Sequence, residues 1–219
     1  MIEMEKIESA FLNRENIERS TEEAEYHPLK PFLPTTTKVL FLGSFPPQRK
    51  RWCMNFYYPN FINDHWRIMG SIFFNDKNHF VDNKGKMFRL ESIVEFLQQK
   101  GIGYFDTATA VKRLADNASD KFLEVVEYTD IESLLRMIPQ CGVVVTTGEK
   151  ATKNVMNQYS LLSLPSVGSF VPLNDDVVLY RLPSSSRAYP LSLDKKVEAY
   201  RKLFEFAGIG GLKDNDVKE

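Results

Sequence analysis

The chain has 219 residues, 43% of them hydrophobic, and a net charge of −1, which is enough for one substantial buried core and excludes disordered or collagen-like classes. Its two cysteines, Cys53 and Cys141, are too few for a disulfide framework or a four-thiolate zinc or iron–sulfur centre. No apolar run reaches the length of a membrane span and the N-terminus has no signal-peptide pattern, so a soluble, cytoplasmic protein with no membrane partner is expected.

Charge is unevenly spread. Residues 1–26 hold eight glutamates against Lys6, Arg14 and Arg19, a balance of −5 that leaves the remainder at +4. The expected organisation is an acidic, helix-favouring extension with a proline-rich connector (1–35), one domain (36–208) and a polar tail (209–219).

The first strand is expected within the stretch 38–47, K-V-L-F-L-G-S-F-P-P. Four consecutive apolar residues, Val39, Leu40, Phe41 and Leu42, have no polar alternation and suit a strand covered on both faces. Gly43 and two prolines stop it, which presents Ser44 and Phe45 at its carboxyl end, the edge where open α/β sheets bind ligands. A polar loop follows at 48–55 with Arg49, Lys50 and Arg51 beside Trp52. It reads either as a solvated loop or as a nucleic-acid contact, since cations beside an aromatic serve phosphate and base together.

From Asn63, at an N-cap position, Trp66, Met69, Ile72 and Phe73 share a helical face. Leu90, Ile93, Val94 and Leu97 make a second amphipathic helix closed by Gly101, and a short strand is expected at 101–106. The polar stretch 112–120 reads as loop. Thr129 and Glu132 form a capping-box pattern ahead of Ile131, Leu134, Leu135 and Ile138. A β-branched strand at 142–146 leads through a turn at Gly148 into a helix over 149–158. The last strand is expected at 177–182, followed by P-S-S-S-R-A-Y-P and a helix capped by Ser192, with Val197, Tyr200, Leu203 and Phe204 inward. Strands alternating with helices and no tight hairpin signal predict an α/β fold: a three-layer αβα sandwich around a mainly parallel sheet of about four strands.

No dinucleotide or Walker pattern follows any strand, and His27, His65 and His79 lack metal-ligand spacing, so neither metal nor cofactor is expected. What remains is a set of strand-end segments. Gly43-Ser44-Phe45-Pro46 is followed by Tyr57-Tyr58 and Asn63-Asp64-His65-Trp66, and Leu182-Pro183-Ser184-Ser185-Ser186 follows the last strand. In this order they resemble the two motifs of the uracil-DNA glycosylase superfamily, in the branch of mismatch-specific, thymine-DNA and hypoxanthine-DNA glycosylase-like proteins. The resemblance covers roughly 38–206. It departs from many members at Phe45, where an Asn or Asp orients the attacking water, and from the strict uracil enzymes at Leu182, where they have His.

The resemblance implies a monofunctional DNA glycosylase acting in base excision repair on hypoxanthine or uracil, without metal, cofactor or Schiff-base lysine. Its partner is DNA carrying a deaminated or mismatched base, reached by base flipping, and the enzyme is a monomer associated with the nucleoid through DNA. In that reading Asn63 and Ser44 are the catalytic candidates. Gly43, Phe45, Tyr58, Asp106 and Gly148 form the base pocket. Ser184, Ser185, Ser186 and Arg187, with Arg49, Lys50 and Arg51, contact DNA. Deamination turns a ring-nitrogen acceptor into an N–H donor, and Asp106 is placed to read it. Plainer roles stand beside these: an N-cap for Asn63, a turn or cap for Asp106, turn hydrogen bonding for Ser44 and core packing for Phe45. Two rival functions are a non-catalytic relative that binds damaged or single-stranded DNA, and a small-nucleoside hydrolase.

Overall fold

The computed structural model describes residues 24–82, 84–114 and 122–210. The acidic extension through residue 23, the end of the polar stretch 112–120 and the tail from 211 lie outside the described residues.

In chain order, β1 (Glu25–Tyr26) precedes β2 (Val39–Gly43), which carries the expected apolar run with Val39 through Leu42 wholly buried. Helix α1 (His65–Phe74), the small hairpin β3 (Val81–Asp82) and β4 (Met87–Phe88), and α2 (Leu90–Lys100) lead to β5 (Ile102–Asp106). A single residue, Thr107, separates β5 from β6 (Ala108–Arg113), which is followed by β7 (Leu123–Tyr128) and α3 (Ile131–Met137). Then come β8 (Val143–Thr147), α4 (Glu149–Gln158), β9 (Phe170–Pro172), β10 (Val178–Leu182) and α5 (Leu193–Phe206).

The central sheet has the order β5-β2-β8-β10-β9. Its first four strands are the four expected ones and are mutually parallel, while β9 adds an antiparallel edge. From β2 the chain winds first to β5 on one side and later to β8 on the other. The winding reverses between β2 and β8, and in a sheet of this kind the carboxyl ends at that point leave a crevice.

Helices α1 and α5 cover one face. Phe41 of β2 stacks on Tyr104 at 5.3 Å and meets His65 at 5.6 Å, Phe204 at 6.0 Å and Tyr200 at 6.3 Å. Each apolar side chain of this kind, Phe41 and Phe204 among them, contributes about 1.5–3 kcal/mol when removed from water. In α1 the expected inward residues are buried, and so are His65, Arg67, Ile68 and Gly70, because the helix is covered on more than one side. Among the described residues no helix is long and apolar enough to cross a membrane.

Three features differ from expectation. A second sheet, β1-β6-β7, uses antiparallel pairing that no tight-turn signal announces. It encloses a small cluster of Phe45, Ala108, Val111 and Leu123. The cap of α3 is Asp130, whose Oδ1 accepts from Ser133 N at 2.9 Å, because the Thr129 hydroxyl is spent donating to the Asp106 carbonyl at 2.6 Å. The connector is built into the body: Phe32 exchanges both backbone hydrogen bonds with Tyr104, at 2.9 and 2.8 Å.

Candidate active site

The crevice holds a pocket of about 150 Å³, the size class of a cavity that takes one aromatic ring. The β2 turn supplies Gly43, Ser44 and Phe45; β5 supplies Asp106; the segment before α1 supplies Tyr58 and Asn63; the loop after β10 supplies Ser184, Ser185 and Ser186. The prolines after Phe45 break β2 where its neighbours also end, so segments distant in sequence converge on one edge.

Gly43 is dictated by Asp106. A Cβ on residue 43 would lie 2.3 Å from Asp106 Oδ1, so the carboxylate rests on the bare backbone of the turn. Asp106 is 7% exposed, and its Oδ2 is 2.9 Å from His27 Nε2. Gly43→Ala is therefore expected to turn the carboxylate aside. Since a misplacement near 1 Å costs on the order of 10²-fold in catalysis, the glycosidic-bond cleavage that the motif resemblance implies is expected to fall by about that factor while urea denaturation still shows one cooperative transition. An unchanged rate would mean that the Asp106 orientation is irrelevant.

Phe45 packs in the core and also borders the pocket. It is 6% exposed and centres the small second cluster, yet it lines the pocket, with the Arg113 guanidinium 5.7 Å from its ring. Arg113 is held by Glu25 and donates to the Pro46 carbonyl at 2.6 Å.

Tyr58 adopts φ +49°, a conformation costly for a bulky residue and retained where surroundings enforce it. Its ring stacks on His65 at 3.7 Å and its hydroxyl shares a hydrogen bond with Thr147 Oγ1 at 2.7 Å. His65 is fully buried, and desolvation lowers its pKa to about 3. Burial and then the Asp106 charge push the neighbouring Tyr57 phenol up; its hydroxyl donates to the Lys30 carbonyl at 2.8 Å.

Asn63 is not the N-cap of α1 but a turn residue at the pocket rim. Its Oδ1 accepts from His65 N at 2.9 Å, a turn bond at the start of α1, although the residue in the N-cap position is Asp64. Its Nδ2 has no partner among the described residues and the side chain borders the pocket.

The serine loop is tied down from below. Asp64 N donates to the Ser185 carbonyl at 3.1 Å, and Lys196, 1% exposed, donates to Asp64 Oδ2 at 3.2 Å and the Ser186 carbonyl at 2.8 Å. The Ser184 and Ser186 hydroxyls accept from Ser186 N and Ala188 N, each at 3.2 Å, which leaves their O–H groups to donate. Arg187 is turned back onto Asp64 Oδ1 at 2.8 Å.

Gly148 lies outside this pocket. With φ +95°, favoured by glycine, it turns β8 into α4 and borders an adjoining depression that also includes Ser184, Lys150 and Lys153; Thr147 takes the place expected for it. Arg49, Lys50 and Arg51 form a single 3-10 turn away from the pocket lining, where Arg49 stacks on Trp52 at 4.1 Å and bonds Asn55 Oδ1 at 2.8 Å.

Reading the sequence missed His27, Asn60, Arg113 and Thr147. Asn60 and Thr147 sit within strand-end segments whose other residues stood out, whereas His27 and Arg113 had no signal, being assigned to connector and loop. Among the described residues no group of three or more His, Cys, Asp or Glu is arranged to hold a metal ion.

The fold and pocket belong to the class of α/β proteins with a ligand crevice at the sheet's switch point. Among solved structures, the chain is similar to a proposed uracil DNA glycosylase from Methanosarcina acetivorans, determined in solution by NMR. The TM-score is 0.53 and the identity 23%, over 82% of this chain and 98% of that one. The two share a fold, with its mostly parallel central sheet. No family model and no curated protein matches the sequence.

Proposed function

We propose that the chain is a monofunctional DNA glycosylase that hydrolyses the N-glycosidic bond of a deaminated base, hypoxanthine or uracil. The observation that carries this reading is the juxtaposition, in one ring-sized pocket, of a carboxylate, aromatic walls and a serine loop. A nucleotide flipped from the duplex, at a cost of a few kcal/mol, places its base between Phe45 and Tyr58. The Ser184 and Ser186 hydroxyls hold the phosphates without reading sequence, whereas Ser185, 2% exposed, is turned inward. Asp106 Oδ1 accepts the lactam N–H that deamination creates and faces a lone pair in the normal base. As the bond to C1′ breaks, its electron pair leaves with the base and the sugar becomes oxocarbenium-like; water adds to C1′ and loses a proton. Asn63, with a free Nδ2 and a second Oδ1 lone pair, is the polar group assigned to the sugar–base junction.

The test is abasic-site formation on oligonucleotides carrying hypoxanthine, uracil, xanthine or mismatched thymine. Cleavage of at least one deaminated base is expected. Binding without cleavage would favour the second reading, a non-catalytic relative, for which Phe45 in the water-orienting position speaks. Asn63→Ala is expected to cost on the order of 10²-fold in the cleavage step. Asn63→Asp keeps the acceptor for His65 N and removes the amide donor, so near-normal cleavage in both variants would reduce Asn63 to a turn residue.

A further inference from the structure

We propose that His27, in the segment ahead of β2, is the positioning residue for Asp106, which makes the strap 24–33 a support behind the base pocket. The proposal rests on the reading of Asp106 as the group that recognises the base.

His27 is 79 residues from Asp106, and its Nε2 meets Oδ2 at 2.9 Å with side chains only 3% and 10% exposed. The imidazole is wedged between the rings of Phe105 at 4.6 Å and Phe45 at 5.3 Å, which fix its plane. Its other nitrogen faces both polar groups of one residue: the Leu29 carbonyl at 2.9 Å and the Leu29 N–H at 3.2 Å. A carboxylate only accepts, so Nε2–H donates to Asp106 Oδ2 and Nδ1 accepts from Leu29 N. Orientation of one ring nitrogen by a partner on the other is the usual way a histidine is held to a task.

The strap itself is anchored at several points. Glu25 pairs with Arg113, His27 N donates to the Thr109 carbonyl at 2.8 Å, and the Tyr57 hydroxyl holds the Lys30 carbonyl at 2.8 Å. Asp106 is thus divided between two duties. Oδ2 is occupied by His27, and Oδ1, lying over Gly43, has no partner among the described residues. Without His27 the carboxylate is free to rotate, and a base N–H would have to order it on binding. With His27 the acceptor is aimed in advance, which is how a supporting residue raises discrimination without touching the ligand.

The test compares the wild type with His27→Ala and His27→Gln, whose amide can again donate to Asp106. Single-turnover cleavage and, separately, fluorescence-anisotropy binding are measured on duplexes carrying hypoxanthine or adenine at one position. His27→Ala is expected to lower hypoxanthine cleavage by roughly 10- to 100-fold and to shrink the hypoxanthine-over-adenine ratio by a similar factor, and His27→Gln to restore most of both. A ratio unchanged in His27→Ala, even with a slower rate or lower melting temperature, overturns the proposal, as does a lost ratio that glutamine fails to restore. If the wild type binds hypoxanthine duplexes preferentially without cleaving, and His27→Ala removes that preference while His27→Gln returns it, the positioning role stands and the glycosylase reading falls. No cleavage and no binding preference in the wild type overturns both.

Discussion

Asp106→Asn is expected, on the proposed glycosylase reading, to lower single-turnover excision of hypoxanthine or uracil by roughly 10⁴-fold, the scale on which a site built for one hydrogen-bonding partner rejects its mismatch. The substitution is nearly isosteric, and His27 decides how the new amide sits. Nε2–H of His27 needs an acceptor and lies 2.9 Å from the Oδ2 position, so the asparagine oxygen takes that place and its NH₂ turns toward the pocket. A donor then meets the N–H of the deaminated base. The same arrangement suits the ring-nitrogen lone pair of adenine or cytosine, so discrimination against normal bases is expected to shrink along with the rate. Abasic-site formation on paired hypoxanthine and adenine duplexes measures both quantities. A variant within a factor of ten of the wild type on hypoxanthine would remove Asp106 from base recognition.

The second large effect concerns stability and pH. His65 lies wholly inside the protein, its pKa lowered to about 3 by loss of solvent, and its Nδ1 has no hydrogen-bond partner. The ring in an unfolded chain titrates near 6.5. Between about 6.5 and 3 the unfolded state therefore holds a proton that the folded state refuses, and stability rises with pH over that window. Each pH unit lost below about 6.5 is expected to cost on the order of 1 kcal/mol from this group alone. Urea denaturation from pH 7 to pH 5 measures the slope, and His65→Phe, which keeps a ring beneath Tyr58 without a titrating nitrogen, is expected to flatten it by that amount. Equal slopes in the two proteins would show that His65 is not the group responsible. The consequence reaches the pocket, because Tyr58 at φ +49° rests on the His65 ring at 3.7 Å. Acid that charges His65 would also loosen one aromatic wall.

Much of the framework is written in local pattern. The run from Val39 to Leu42 has no polar alternation because β2 is the interior strand between β5 and β8, hydrogen-bonded on both sides and buried throughout. Ser192 caps α5 by accepting from Lys195 N, as its place ahead of the periodic residues requires. The strand-end segments also converge as their order implies, so that Gly43, Ser44, Phe45, Tyr58, Asn63, Asp106 and the three serines border one pocket. A sequence states such things well because strand burial, capping and turn chemistry act over a few residues, each with a period or residue type of its own.

Contacts between distant residues follow no such rule. His27 reached Asp106 only because β1 pairs with β6 and brings the strap across the carboxyl edge. Lys196 sits 132 residues from Asp64, and its burial beneath the serine loop contradicts the usual exposure of lysine, which only a packed partner makes tolerable. Thr129 gave up its expected cap because a carbonyl from β5 lay closer at hand. Composition, periodicity and turn residues determined by themselves an α/β protein whose strand-end segments meet in a crevice after Gly43. Which oxygen of Asp106 is open, which atoms of Asn63 are spent and which residues wall the pocket were decided by the tertiary structure. Those choices depend on distances between segments that chain closure alone brings together.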